Sequence, residues 1–87
     1  MTDSEVIGLI DASLAEEFEL EQGDMTPDAN IFEDLGLDSL DMVDMVVVLE
    51  KTFHFKIREE EAIREIRTLG QIHEFVLGKR QEMEAAS

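Results

Sequence analysis

The chain has 87 residues and a formal net charge of −15 at pH 7, because 22 acidic side chains outnumber seven basic ones. This length suits one domain with a modest core, and the absence of cysteine excludes disulfides, thiolate catalysis and cysteine-ligated zinc. Residues 1–50 hold fifteen acidic and no basic side chains, a distribution that repels nucleic acid and anionic membranes and attracts basic protein surfaces. A solvated acidic surface without a particular partner is the alternative interpretation.

The first predicted element is a helix over residues 3–19. Thr2 and Glu5 have the spacing of a capping box. Apolar residues then recur at helical spacing: Ile7, Ile10, Leu14 and Phe18. The segment 22–24 is expected to end this helix. From there to Asp38 the apolar residues follow no regular spacing. The sequence therefore predicts a loop of roughly 18 residues, a length that indicates a functional or self-packed segment.

Helix two is predicted over residues 39–53, where no proline or glycine interrupts a largely apolar run. Ser39 is expected at its N-cap, with its hydroxyl accepting from the unpaired backbone donors of the first turn. Helical geometry gathers five residues into one core stripe: Met42, Met45, Val46, Leu49 and Phe53. Leu40, Val43 and Val47 fall on the opposite side among carboxylates. They form either a docking face or a surface that the preceding loop covers.

Two more helices complete the predicted fold. A short helix is expected over residues 58–66, and a last helix opens at Thr68 with a Thr-x-x-Gln capping box. Gly78 is expected to end this helix, so that residues 81–87 form a disordered tail beyond a single domain of residues 1–80. With no strand signal and no repeat, the fold class is all-α: a small four-helix bundle of three main helices and one short helix, with a long loop between helices one and two.

Ser39 has no sequence partner that could make it a nucleophile. His54 follows helix two and His73 lies within the last helix, and no motif places either one as a base. Both histidines are expected to be surface or partly packed side chains. No calcium-binding loop pattern is present, so no metal site is predicted, although loose divalent-cation binding at the acidic surface stays open. Ser39 is therefore interpreted as a substrate for another enzyme, and the chain as having no catalytic residue.

A longer pattern surrounds this serine. It reads Leu35-Gly36-x-Asp38-Ser39-Leu40-Asp41-x-Val43-Asp44, followed by Leu49-Glu50 and Phe53. The pattern resembles the acyl carrier proteins, and the resemblance extends over about residues 3–77. It implies that Ser39 carries a 4′-phosphopantetheine arm, transferred from coenzyme A by a phosphopantetheinyl transferase with magnesium assisting. The terminal thiol of the arm would hold acyl groups as thioesters, which makes the protein a non-catalytic carrier subunit.

The resemblance also implies which residues meet partners and cargo. Partner recognition is implied for residues at the start and on the outer side of helix two: Asp38, Leu40, Asp41, Asp44, Val47 and Glu50. The acyl pocket is implied to be lined by apolar residues that must be core in either case: Ile31, Phe32, Met45, Val46, Leu49, Ile57, Ala62 and Ile66. The implied partners are the transferase and acyl-transferring and ketosynthase-type enzymes with basic patches.

The resulting hypothesis is a carrier for fatty-acid or polyketide-type biosynthesis. A specialised pathway is included, because Arg58 stands where many members of the family have proline and the segment before Thr68 is one residue longer than usual. The alternative is an acidic protein-interaction module or nucleic-acid mimic without covalent cargo. No signal peptide or membrane span is recognised, so the protein is expected to be a cytoplasmic monomer that binds neither nucleic acid nor membranes.

Overall fold

The computed structural model describes residues 2–54, 56 and 60–86, and at 60–62 and 83–86 it describes the backbone alone. The helices are α1 (Asp3–Phe18), α2 (Ser39–Phe53), α3 (Glu60–Glu65) and α4 (Leu69–Ala86), with a single 3₁₀ turn at Gln22–Asp24. The described residues form no strand, and the predicted fold class is confirmed: a small helical bundle with three longer helices, one short helix and a long loop before α2.

Helix α1 begins as predicted and ends slightly earlier. The Thr2 hydroxyl accepts from the Glu5 N–H, and the Glu5 carboxylate accepts from the Thr2 N–H, which completes the capping box. The backbone and hydroxyl hydrogen bonds from Thr2 hold the pKa of Glu5 below its ordinary value. Glu19 ends the helix in the left-handed region at φ 55°, and the Leu20 N–H donates to the Ala15 carbonyl at 2.9 Å. The expected terminator at 22–24 is wrong, because the chain has already left the helix there.

The core lies where α1, α2 and α4 meet. Its buried side chains come from each of these helices: Val6, Ile10 and Leu14 from α1, Met42, Met45 and Leu49 from α2, and Leu69, Ile72 and Val76 from α4. Each fully buried side chain of this kind contributes about 1.5–3 kcal/mol. Val6 rather than the predicted Ile7 is the first buried residue of α1, and Ile7 is only half-buried.

The long loop folds on itself around one asparagine. The Asn30 side-chain oxygen accepts from the N–H groups of Phe32 and Glu33, both at 2.9 Å. The Asp34 carboxylate accepts from the Asn30 N–H at 2.7 Å. An Asn side chain that bonds neighbouring backbone groups stabilises a turn. The loop is therefore an organised segment of the fold.

The same loop is hydrogen-bonded to the connection between α3 and α4. The Ile31 N–H donates to the Arg67 carbonyl at 2.8 Å, and the Leu69 N–H donates to the Ala29 carbonyl at 3.0 Å. These bonds flank a single antiparallel β-bridge. Because the loop also leads into α2, this pairing fixes where α2 begins relative to the end of α3.

Gly70 provides a test of how closely loop and helix approach. Its N–H donates to the Pro27 carbonyl at 2.9 Å, and a Cβ added at Gly70 would lie 3.0 Å from that carbonyl oxygen. We expect Gly70→Ala to destabilise the protein in urea unfolding by about 1–3 kcal/mol, as overpacking does. Gly78→Ala is the control, because nothing lies within 4 Å of its added Cβ and alanine favours the helix by about 1 kcal/mol. Equal stabilisation by both substitutions would contradict the close approach.

Helix α4 differs from its prediction in two respects. Its Thr68–Gln71 capping box is confirmed, but the helix continues through Gly78 to Ala86, so the predicted end at Gly78 is wrong and the backbone of 81–86 is helical. A lone helical glycine costs about 1 kcal/mol, which is too little to stop a helix. Helix α3 is described from Glu60 to Glu65, and its predicted start at residue 58 lies outside the described residues.

His73 is the buried polar residue that the sequence did not reveal. Its side chain is 6% exposed, and its Nε2 lies 2.7 Å from the Asp11 carboxylate oxygen. The contact joins α4 to α1 at the edge of the core. The expectation of a surface or partly packed side chain is therefore wrong for His73, because a hydrogen-bonded partner on α1 permits its burial, and it is confirmed for His54, which is exposed.

Candidate functional site

The N-terminus of α2 is capped by Asp38 and not by Ser39. The Asp38 carboxylate accepts from the Asp41 N–H at 2.9 Å, and the Asp41 carboxylate accepts from the Asp38 N–H at 3.0 Å. Aspartate caps at least as well as serine, and a carboxylate is favoured by the helix dipole. The predicted N-cap role of Ser39 is therefore wrong. Ser39 is the first helical residue and is exposed, so its hydroxyl is free for another purpose.

The turn before α2 fixes the direction in which Ser39 is presented. Gly36 adopts φ 71°, a left-handed conformation that side-chain-bearing residues rarely adopt. Leu37 is buried, and its N–H donates to the Ile31 carbonyl at 3.1 Å. The chain is thus anchored in the core two residues before Ser39, and the serine emerges at a defined place on the surface.

A groove of about 460 Å³ opens beside Ser39. Its lining comes from the loop, from α2 and from α3: Phe32, Ser39, Met42, Val43, Val46, Ile63 and Arg64. Five of these seven residues are apolar, and Arg64 is the one charged residue in the described part of the lining. An apolar groove with few polar groups is typical of a site for a small molecule or an acyl chain.

The structure places six of the eight predicted pocket residues, some in this groove and some in the core. Phe32 and Val46 line the groove. Four others belong to the buried core: Ile31, Met45, Leu49 and Ile66. Ile57 lies outside the described residues, and only the backbone of Ala62 is described. Sequence reasoning missed Ile63 and Arg64 as lining residues, because their placement depends on how α3 packs and not on its period.

The outer side of α2 is exposed. Leu40, Val43 and Val47 are 74%, 61% and 42% exposed, so the preceding loop does not cover them. The four acidic residues of the predicted recognition set surround them: Asp38 and Asp44 are exposed, and Asp41 and Glu50 are half-buried. This surface, formed by Leu40, Val43 and Val47 with their neighbouring carboxylates, is called the outer face below. Its composition suits a basic, partly apolar partner.

The surroundings of Ser39 suit attachment of an anionic group and do not suit catalysis by Ser39. No described residue accepts a hydrogen bond from the backbone N–H of Ser39 or Leu40. These two N–H groups in the first turn of α2 can therefore donate to an anion attached to the serine oxygen. Neither His54, the C-cap of α2, nor His73, which contacts Asp11, lines the groove. A phosphodiester at Ser39 therefore fits the described residues around it.

The described residues offer neither a cluster of metal ligands nor a membrane-spanning helix. They contain no group of three or more histidine, aspartate or glutamate side chains placed to hold a metal ion. Within the same residues, no helix has both the length and the apolar character needed to cross a membrane.

Comparison with known proteins agrees with this geometry. The family model described as "Phosphopantetheine attachment site" matches residues 9–76. The chain is 35% identical to "Acyl carrier protein 2" of Ralstonia nicotianae over 72 residues, covering 83% of this chain and 88% of that protein. It is 34% identical to "Acyl carrier protein" of Prochlorococcus marinus over 80 residues, covering 92% and 99%. The chain therefore belongs to the acyl carrier protein family, and it is a non-catalytic carrier with a phosphopantetheine prosthetic group.

Proposed function

We propose that this protein carries acyl intermediates of fatty-acid or polyketide-type biosynthesis, a specialised pathway included, on a phosphopantetheine arm attached to Ser39. The observation that carries the proposal is the exposed Ser39 hydroxyl at the first turn of α2, at the edge of an apolar groove. The prosthetic group supplies a thiol that holds acyl groups as thioesters, which the cysteine-free chain cannot do itself.

The attachment needs a second enzyme. The described residues that line the groove offer Ser39 no base, which supports activation of its hydroxyl by a phosphopantetheinyl transferase. The serine oxygen would then bond to the phosphorus of the arm as the pyrophosphate bond of coenzyme A breaks, with adenosine 3′,5′-bisphosphate as the leaving group. The test is an intact mass of the protein after incubation with coenzyme A, magnesium and a transferase. A gain of one phosphopantetheine unit, mapped to Ser39 by peptide mass, supports the proposal. An unchanged mass would instead favour an acidic interaction module without covalent cargo.

The outer face is the proposed docking surface for enzymes of the pathway. Acyl carrier proteins interact with biosynthetic enzymes, and the exposed apolar side chains here are surrounded by carboxylates. The transferase and acyl-transferring or ketosynthase-type enzymes with basic patches would fit that pattern. Since the carrier must reach several such enzymes in turn, we propose that it acts as a monomer in the cytoplasm.

The cargo is proposed to enter the bundle through the groove. Met42 and Val46 line it, and Met45 and Leu49 lie one helical turn further along α2 in the core. Methionine side chains are flexible, so they can move aside for a chain without leaving a rigid cavity. The core residues named above would then line an acyl pocket that opens only when it is filled.

A stability measurement tests this location. We expect a long acyl chain on the arm to raise the melting temperature above that of the unacylated arm-bearing protein, because each methylene removed from water contributes about 0.8 kcal/mol. An amide-linked chain avoids hydrolysis during the measurement, and an acetyl group is the control. No difference between the long-chain and acetyl forms would show that the cargo lies outside the bundle.

The uneven charge predicts a second effect on stability. Fifteen carboxylates in residues 1–50, with no basic side chain among them, repel one another in the folded state. We expect moderate salt, or millimolar magnesium or calcium, to raise the melting temperature of the unmodified protein. A gain of 1 kcal/mol corresponds to about 4–8 °C for a domain of this size. A melting temperature indifferent to both salt and divalent cations would contradict the proposed repulsion.

A further inference from the structure

Arg64 brings a positive charge to the groove beside Ser39. It lines the groove together with the serine, and residues 1–50 contain no lysine or arginine. Its side chain is exposed, and none of the described residues forms an ion pair with it. The fold as described therefore makes no use of this guanidinium.

Arg67, only one turn away, is used differently. Its guanidinium donates to the Ile66 carbonyl at 3.0 Å and to the Arg64 carbonyl, and it lies 5.9 Å from the centre of the Phe32 ring. It thus closes the C-terminal end of α3 and packs the loop against it. Arg67 thus has a packing role at the end of α3, whereas the guanidinium of Arg64 makes no such contact with the described side chains.

We propose that Arg64 binds the phosphodiester through which the arm is joined to Ser39. The proposal rests on Ser39 being the attachment site. The phosphodiester adds a negative charge within the first turns of α2, where Asp38, Asp41 and Asp44 already lie. A guanidinium in the same groove can pair with the phosphate oxygens, since arginine matches phosphate geometry. Arm attachment would then fasten α3 to the start of α2.

The position of the phosphate favours it over the cargo as the partner of Arg64. The phosphate is fixed at the Ser39 oxygen, in a groove that both residues line, whereas the far end of an acyl arm moves with its cargo. Helix α3 has six residues and is too short to be stable alone. One added ion pair can therefore measurably reduce the local unfolding of α3.

Hydrogen exchange of the α3 backbone amides tests the proposal. We expect arm attachment to slow exchange across α3 about 1.5- to 5-fold in the unaltered sequence, the range for an exposed ion pair, with less effect at high salt. Arg64→Gln should remove that slowing and change the ³¹P resonance of the phosphodiester. Lys51→Gln is the matched control, since it removes the same charge from the exposed last turn of α2, and it should keep both properties.

Each outcome has a distinct meaning. Intact mass is measured first, to verify that every variant carries the arm. If the unaltered protein does not gain the mass of the arm, the attachment proposal is overturned and the role of Arg64 is not what failed. If the α3 amides exchange at the same rate in arm-bearing Arg64→Gln and in the arm-bearing unaltered sequence, the proposed role of Arg64 is overturned. The proposal is also overturned if Arg64→Gln speeds α3 exchange equally in the protein without the arm, because Arg64 would then be a structural residue. An effect confined to carriers loaded with a dicarboxylic acyl group would assign Arg64 to cargo instead, and would also overturn it.

Discussion

Replacement of Ser39 by alanine is expected to abolish attachment of the arm and to leave the bundle folded. The hydroxyl is the proposed acceptor, and no other serine of the chain follows a Leu-Gly-x-Asp sequence. Because Asp38 caps α2, Ser39→Ala removes no cap, and we expect the free energy of unfolding to change by less than about 0.5 kcal/mol. Intact mass after treatment with transferase and coenzyme A, together with urea unfolding, measures both effects.

Ser4→Ala is the matched control for this substitution. Ser4 is also an exposed serine in the first turn of a helix, but it lies in α1 and away from the groove. The Ser4→Ala variant should gain the full mass of the arm. Continued modification of Ser39→Ala would place the attachment site elsewhere in the chain and would contradict the proposal.

The helices were predictable because their signals are local. The Thr2–Glu5 and Thr68–Gln71 capping boxes each involve residues three apart, and both form as the spacing predicts. The apolar stripe of α2 likewise depends only on helical geometry. Its outer side is exposed as one of the two sequence interpretations requires, since a bundle of this size cannot bury both sides of one helix.

What escaped prediction depends on contacts distant in sequence. His73 and Asp11 are 62 residues apart, and nothing near either residue indicates their hydrogen bond. The capping of α2 was missed for a different reason: Asp38 and Ser39 are adjacent, both are good N-cap residues, and the sequence does not decide between them. The structure decides, because Asp41 can return the hydrogen bond to Asp38.

The site was predictable where its signals are local in sequence, and not where it depends on contacts between distant segments. The motif identifies Ser39, and two of the predicted pocket residues, Phe32 and Val46, line the groove. The sequence does not identify Arg64 as a site residue, because a charged residue in a short, acidic helix follows no periodic pattern that would place it. Its significance emerges only when α3 is placed beside the first turn of α2.

Reversal of one charge on the outer face is expected to weaken binding of pathway enzymes. Asp44 is the suitable position, because it is exposed and borders Val43 and Val47, whereas Asp41 belongs to the helix cap and its replacement would also affect folding. We expect Asp44→Lys to raise the dissociation constant for a transferase or ketosynthase about tenfold at low salt, since a lysine there would meet a basic patch. Val47→Ala should weaken binding by a smaller factor through lost apolar contact.

A control of equal charge separates docking from a general effect of net charge. Glu16→Lys makes the same change at an exposed position of α1, so it should leave affinity nearly unaltered. Rising salt should weaken binding of the unaltered protein and have less effect on Asp44→Lys, because the attraction that salt screens is already lost. Binding by isothermal calorimetry at two salt concentrations measures this. If Asp44→Lys and Glu16→Lys lose affinity equally, attraction depends on the total charge of the carrier and the outer face is only a solvated surface.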